Sequence, residues 1–95
     1  MPQFLLIGRD HPGEPERRAR ARDAHLALAE RLHAEGTLIH AGALLGEGGA
    51  MTGSVVLYRA ESREALDALL MDEPYIREEV WAEVEITEIR PAPFL

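Results

Sequence analysis

Three short runs of this chain, Gln3–Ile7, Thr37–Leu44 and Gly53–Arg59, are apolar on both of the sides that a β-strand presents. Leu5 and Ile7 oppose Phe4 and Leu6, Leu38 opposes Ile39, and Val55 and Leu57 oppose Val56. Side chains alternate between faces along a strand, so a sheet built from these runs needs cover on both sides. In a chain of 95 residues few other elements are left to supply that cover, and this restricts the fold more than any other feature.

Two helical patterns separate the runs. The first spans roughly Glu16 to Glu35, opens after Pro15 and places Leu28, Ala29 and Leu32 on one stripe. Gly36 then stands where a helix C-cap takes up left-handed geometry, and the pattern turns into a strand. His25 lies one turn before Leu28 and Ala29, which puts a titratable ring on the inward stripe. Arg17, Arg18, Arg20 and Arg22 crowd the first half of this helix and read as a solvated face of mixed charge. The second helix is capped by Ser62, carries Glu64 in its first turn and turns Ala65, Leu66, Leu69 and Leu70 inward. It stops at Asp72-Glu-Pro-Tyr75, because proline disfavours helical geometry in the residue before it. A short helical turn follows, then a strand over Ala82–Ile89 with Ala82, Val84 and Ile86 on one side. Leu45-Gly-Glu-Gly-Gly-Ala50 is a hairpin loop; it lacks the helix and the Lys-Ser/Thr pair that a phosphate cradle requires.

The order β-α-β-β-α-β defines an α+β, ferredoxin-like split βαβ fold: four antiparallel strands with two helices on one face, in a single domain over residues 1–95. Two helices cover one face only. The other would expose a larger apolar patch than monomers usually tolerate, so the expected partner is a second copy, packed sheet to sheet as a dimeric α+β barrel.

Composition removes several chemistries. Seventeen acids against ten bases give a net charge of −7, which argues against nucleic acid or an anionic membrane as partner. Every base is arginine, so no lysine is present for Schiff-base chemistry, and the absence of cysteine removes thiolate nucleophiles and zinc–thiolate sites. No apolar run approaches ~20 residues and no leader pattern opens the chain, so a soluble cytoplasmic protein is expected.

Arg22-Asp-Ala-His25-Leu, Ala34-Glu-Gly36-Thr-Leu, Ala41-Gly42, Thr52-Gly53-Ser54 and Asp72-Glu-Pro74-Tyr75 together resemble the landmarks of the YciI-like (YCII-related) family, from the first strand to Val84-Glu-Ile86. The resemblance implies a dimeric α+β barrel with a histidine and an aspartate proposed as an acid/base pair, in a pocket near the dimer interface. It also implies kinship with a dehydrochlorinase of a chlorinated aromatic ring, and with the fold of muconolactone isomerase. The histidine corresponds to His25. The family's aspartate usually stands directly before the proline, where this chain has Glu73, with Asp72 one residue earlier; Ala43 stands where many members place a proline.

His25, with Glu73 first and Asp72 second as its carboxylate, is therefore the expected catalytic set. A histidine exchanges protons near neutral pH, and a carboxylate on its other nitrogen fixes the tautomer. Arg22, one turn before His25, offers a planar fork to a substrate carboxylate or phenolate, with Ser54, Tyr75 and Gly42 as further substrate contacts. His11, His33 and His40 fall on a loop, another helix sector and a strand. No pair has the i, i+4 spacing of a helical metal site, so neither metal nor cofactor is expected. Two functions fit: an acid/base lyase, isomerase or hydrolase acting on a small molecule, aromatic ones included, or a non-catalytic module that binds a small ligand in the same pocket.

Overall fold

The structure, a computed structural model, describes residues 1–95 throughout. In chain order it consists of β1 (Gln3–Asp10), α1 (Pro15–Ala34), β2 (Leu38–Leu45), β3 (Met51–Arg59), α2 (Arg63–Leu70), α3 (Pro74–Arg77) and β4 (Trp81–Ile89). The strands form one antiparallel sheet in the order β2-β3-β1-β4, the ferredoxin-like α+β arrangement. The helical turn expected after Pro74 is α3, and the β2–β3 loop carries one 3₁₀ turn at Glu47–Gly49.

Local chemistry sets the helix boundaries. Pro15 occupies the first turn of α1, where its missing N–H costs no hydrogen bond, and Glu16 there together with Arg31 and His33 in the last turn match the helix dipole. Gly36 leaves the helix at φ +83°, a conformation that side chains resist. The Ser62 side chain caps α2 by accepting the Ala65 N–H at 3.1 Å.

The helix-covered face of the central strand pair has three rungs. Phe4 faces Tyr58, Leu6 faces Val56, and Gly8 faces Ser54. The first two rungs are buried beneath Leu32 of α1 and Leu66 and Leu70 of α2. Each of these side chains contributes about 1.5–3 kcal/mol through removal from water. The opposite face shows Leu5, Ile7, Val55 and Leu57 half-buried, flanked by Glu83 and Glu85 on β4.

Two expected orientations differ. Ala65 is exposed, and Leu66 and Leu70 alone form the fully buried face of the second helix. On β4, Ala82 is exposed because the register shifts between Arg9 and Asp10. Asp10 pairs with Trp81, so the bulge gives Trp81 the inward position that strict alternation would assign to Ala82. Val84 does share the helix side with Ile86, yet it lies near the sheet edge and is 43% exposed.

Candidate active site

The third rung lies under the N-terminal half of α1, where the stripe Leu32, His25, Ala21 and Arg18 changes from apolar to charged. Glu73 is the N-cap of α3, and its side chain turns back over the helix start, with Oε1 accepting the Tyr75 N–H at 3.0 Å. The same oxygen is 2.5 Å from His25 Nδ1. Glu73 is 2% exposed and His25 9%. The Tyr75 ring stacks on the imidazole with centroids 3.7 Å apart and planes within 4°, and Trp81 meets both rings edge-on. The imidazole is thus held in one orientation by a carboxylate at its edge and an aromatic ring on its face. A carboxylate at Nδ1 can only accept, so with Glu73 in that form Nδ1 would carry the hydrogen and Nε2 would be left as the acceptor. No protein group bonds Nε2, and it is not sealed from solvent.

A second polar group adjoins the first. Arg18 donates through Nε to Asp10 Oδ2 at 2.8 Å and through Nη2 to Asp10 Oδ1 at 3.1 Å, a bidentate pair. Nη2 also donates to Ser54 Oγ at 2.9 Å, and Trp81 Nε1 donates to the same hydroxyl at 3.2 Å. The guanidinium carbon lies 4.8 Å from the Tyr75 ring centre. Burial works against charge on Arg18, but the hydrogen bonds and charge of Asp10 prevail and raise its pKa above the ordinary value. Burial pushes the Tyr75 phenol up, against the pull of Arg18 and Arg22. Burial also raises Tyr58 well above its usual range, and the Glu73 charge adds to it.

Four of these groups line a cavity of about 260 Å³. Arg18, His25, Ser54 and Tyr75 supply its polar surface, with Arg22 at the exposed rim. Leu26, Ala29, Met51 and Val56 supply apolar surface, and Ala41, Gly42 and Ala43 of β2 form the remaining wall. That volume holds one substituted ring, since an engineered apolar cavity of about 150 Å³ in another protein accommodates benzene.

Of the residues singled out from the sequence, His25, Glu73, Arg22, Ser54, Tyr75 and Gly42 are thus brought together around one space. Asp72 is not among them: it is exposed and lines a different depression with Arg20 and Arg77. Only the N-cap residue can fold its side chain back over the helix start, and Asp72 lies one residue before it. Arg22 forms no ion pair with Glu14 or Asp23; Glu14 pairs with Arg17 at 3.1 Å and approaches His11. His33 and His40 are exposed and lie outside this cavity. Reading the arginines as one solvated face overlooks Arg18, which is 8% exposed, and with it Asp10 and Trp81. The signal was present in part, because Arg18 stands seven residues before His25 and His25 seven before Leu32, two helical turns each.

The YCII-related domain family matches residues 2–90. Protein YciI of Escherichia coli O6:H1 is 34% identical over 89 residues, covering 87% of this chain and 91% of that protein. Among solved structures, the 5-chloro-2-hydroxyhydroquinone dehydrochlorinase of Burkholderia phenoliruptrix AC1100, in complex with 2,5-dihydroxybenzoquinone, superposes with a TM-score of 0.87. It has 27% identity and 97% coverage of both chains. Muconolactone isomerase shares the fold at a TM-score of 0.69 and 22% identity, with 98% of this chain and 92% of that one covered.

Proposed function

This chain belongs to the YCII-related family, and from that premise we propose that it is an acid/base enzyme of the lyase, isomerase or hydrolase type. In this reading it acts on a small, single-ring molecule with its own side chains. The observation that carries the reading is the 2.5 Å contact between His25 Nδ1 and Glu73 Oε1, with the second ring nitrogen reachable from the cavity. Nε2 takes a proton from the substrate, and the imidazolium that forms lies against the Glu73 carboxylate, which stabilises its charge. Nε2 then returns the proton at another position or to a leaving group. The stacked Tyr75 keeps the ring plane fixed through both transfers. The likeness to a dehydrochlorinase bound to a dihydroxybenzoquinone supports a ring substrate, as does the cavity volume.

A homodimer completes the reading. Leu5, Ile7, Val55 and Leu57 form an apolar centre on the uncovered sheet face, which favours a second sheet packed upon it. Gly42 supports the same arrangement: it sits within β2, where glycine weakens a strand, and a Cβ there would meet no atom of its own subunit within 4 Å.

The test is exchange of ring protons. With 2,5-dihydroxybenzoquinone or 2-hydroxyhydroquinone in deuterated buffer, wild-type protein should accelerate deuterium wash-in, followed by NMR. His25→Gln should lower that acceleration by about 10²–10⁴-fold with the fold intact. Exchange no faster than in buffer alone, or equal in the variant, would remove the catalytic role and leave a ligand-binding module.

A further inference from the structure

Ser54 is a hydroxyl with its acceptor capacity filled. Both N–H groups that reach it donate, Arg18 Nη2 at 2.9 Å and Trp81 Nε1 at 3.2 Å. A hydroxyl has two lone pairs and one hydrogen, so what Ser54 retains is its own O–H, polarised by two incoming donors, one of them cationic. It donates to no protein group, it is 3% exposed, and it lines the cavity that His25 enters. Beside it, Arg18 spends Nε and Nη2 on Asp10 and Ser54; no protein acceptor lies within 3.5 Å of Nη1, and the Tyr75 phenol is the further polar group that interacts with the guanidinium. The cavity therefore presents unspent donor hydrogens from two rigidly held groups, and both carboxylates nearby are committed, Asp10 to Arg18 and Glu73 to His25 and the Tyr75 N–H.

We propose that Ser54 and Arg18 form a binding site for an anionic oxygen, and that the cavity selects a single-ring phenolate or enolate by that oxygen. This inference rests on the proposed acid/base reading only for its place in a reaction. When His25 Nε2 takes a proton from a tetrahedral ring carbon beside a carbonyl, as in the keto tautomer of a phenol, the C–H electron pair moves into the carbonyl oxygen. The resulting oxyanion accepts hydrogen bonds from the Ser54 O–H and Arg18 Nη1. On return of the proton the charge leaves that oxygen again, so no outside oxidant or reductant enters. Donors aimed at the atom where charge develops are the arrangement by which such a step is accelerated. Asp10 and Trp81 act as positioning residues, the first orienting the guanidinium fork and the second the serine hydroxyl. Gly8 lets Trp81 reach that place, because a Cβ there would lie 2.4 Å from the indole ring.

The probe is 4-nitrophenol, whose absorbance separates phenol from phenolate, with 4-nitroanisole as a neutral counterpart that cannot ionise. Wild-type protein should bind nitrophenol as the phenolate and lower its apparent pKa. His25→Gln should do the same, because the anion is held by donors other than the imidazole. Ser54→Ala, folded by circular dichroism, should bind the phenolate at least about tenfold more weakly with nitroanisole affinity unchanged. Binding as neutral phenol, no saturable binding to wild type, an unchanged Ser54→Ala affinity, or a pKa shift lost in His25→Gln would each overturn the proposal. Should Ser54→Ala fail to fold, the ionisation state bound by wild type and by His25→Gln decides. Loss of the exchange reaction alone, with phenolate binding retained, would count against the dyad and leave this site standing.

Discussion

The same two strands build a sealed core at one end and an open site at the other. Along β1 the inward residues run Phe4, Leu6, Gly8, and along β3 they run Tyr58, Val56, Ser54 in register. At the first two rungs large apolar groups pack with Leu32, Leu66 and Leu70 in the buried core. At the third rung the strand pair shrinks to glycine and serine, and the room released is occupied by Trp81, Tyr75, His25 and Arg18 around a cavity. α1 follows the same gradient from Leu32 through His25 to Arg18. Stability is concentrated where side chains are large, and chemistry where the sheet leaves them small.

That contrast can be broken at either end. The largest effect is expected at the sealed end: Leu6→Ala removes a side chain with no exposure, and should cost about 2–5 kcal/mol in urea unfolding at fixed protein concentration. Gly8→Ala, one rung along, should cost about 1–3 kcal/mol, because the new methyl collides with the Trp81 ring at 2.4 Å. It should also shift tryptophan fluorescence and weaken nitrophenolate binding, which Leu6→Ala should leave intact in protein that remains folded.

The smallest effect is a pH dependence that distinguishes the two ends. The phenols of Tyr58 and Tyr75 are both raised above 10.0 in the folded chain, mainly by burial. A neutral form favoured by folding means that the unfolded chain binds fewer protons in alkaline solution. Their contribution is fully present below pH ~10 and is lost as pH rises beyond it, by at most about 1.4 kcal/mol per pH unit for each phenol. Tyr58 carries the larger shift, so Tyr58→Phe should flatten the alkaline fall in stability more than Tyr75→Phe does.

The sealed end was largely legible in the sequence, since alternation and helical stripes are local patterns and these rungs obey them. The order of the elements, the capping by Ser62 and Gly36, and the inward direction of His25 follow from such patterns. The open end was legible only in outline, because it depends on departures from pattern. A bulge opposite Asp10 moved Trp81 inward in place of Ala82, and alternation cannot announce a bulge. Arg18 looks like its solvated neighbours until Asp10, distant on β1, provides the partner that makes its burial tolerable. The choice between Asp72 and Glu73 turned on which residue became the N-cap of α3, a matter of one residue in a helix boundary.

The central claim is that Glu73 sets the state of the His25 ring for proton transfer at Nε2. Long-range ¹H–¹⁵N NMR of the labelled protein reads this directly, on the alkaline side of the histidine titration, where tautomers are distinguished. The account predicts the Nδ1–H tautomer for His25, with an unprotonated Nε2, and loss of that preference in Glu73→Gln while the fold persists. An Nε2–H tautomer in the wild-type protein, or a tautomer unaffected by Glu73→Gln, would contradict it.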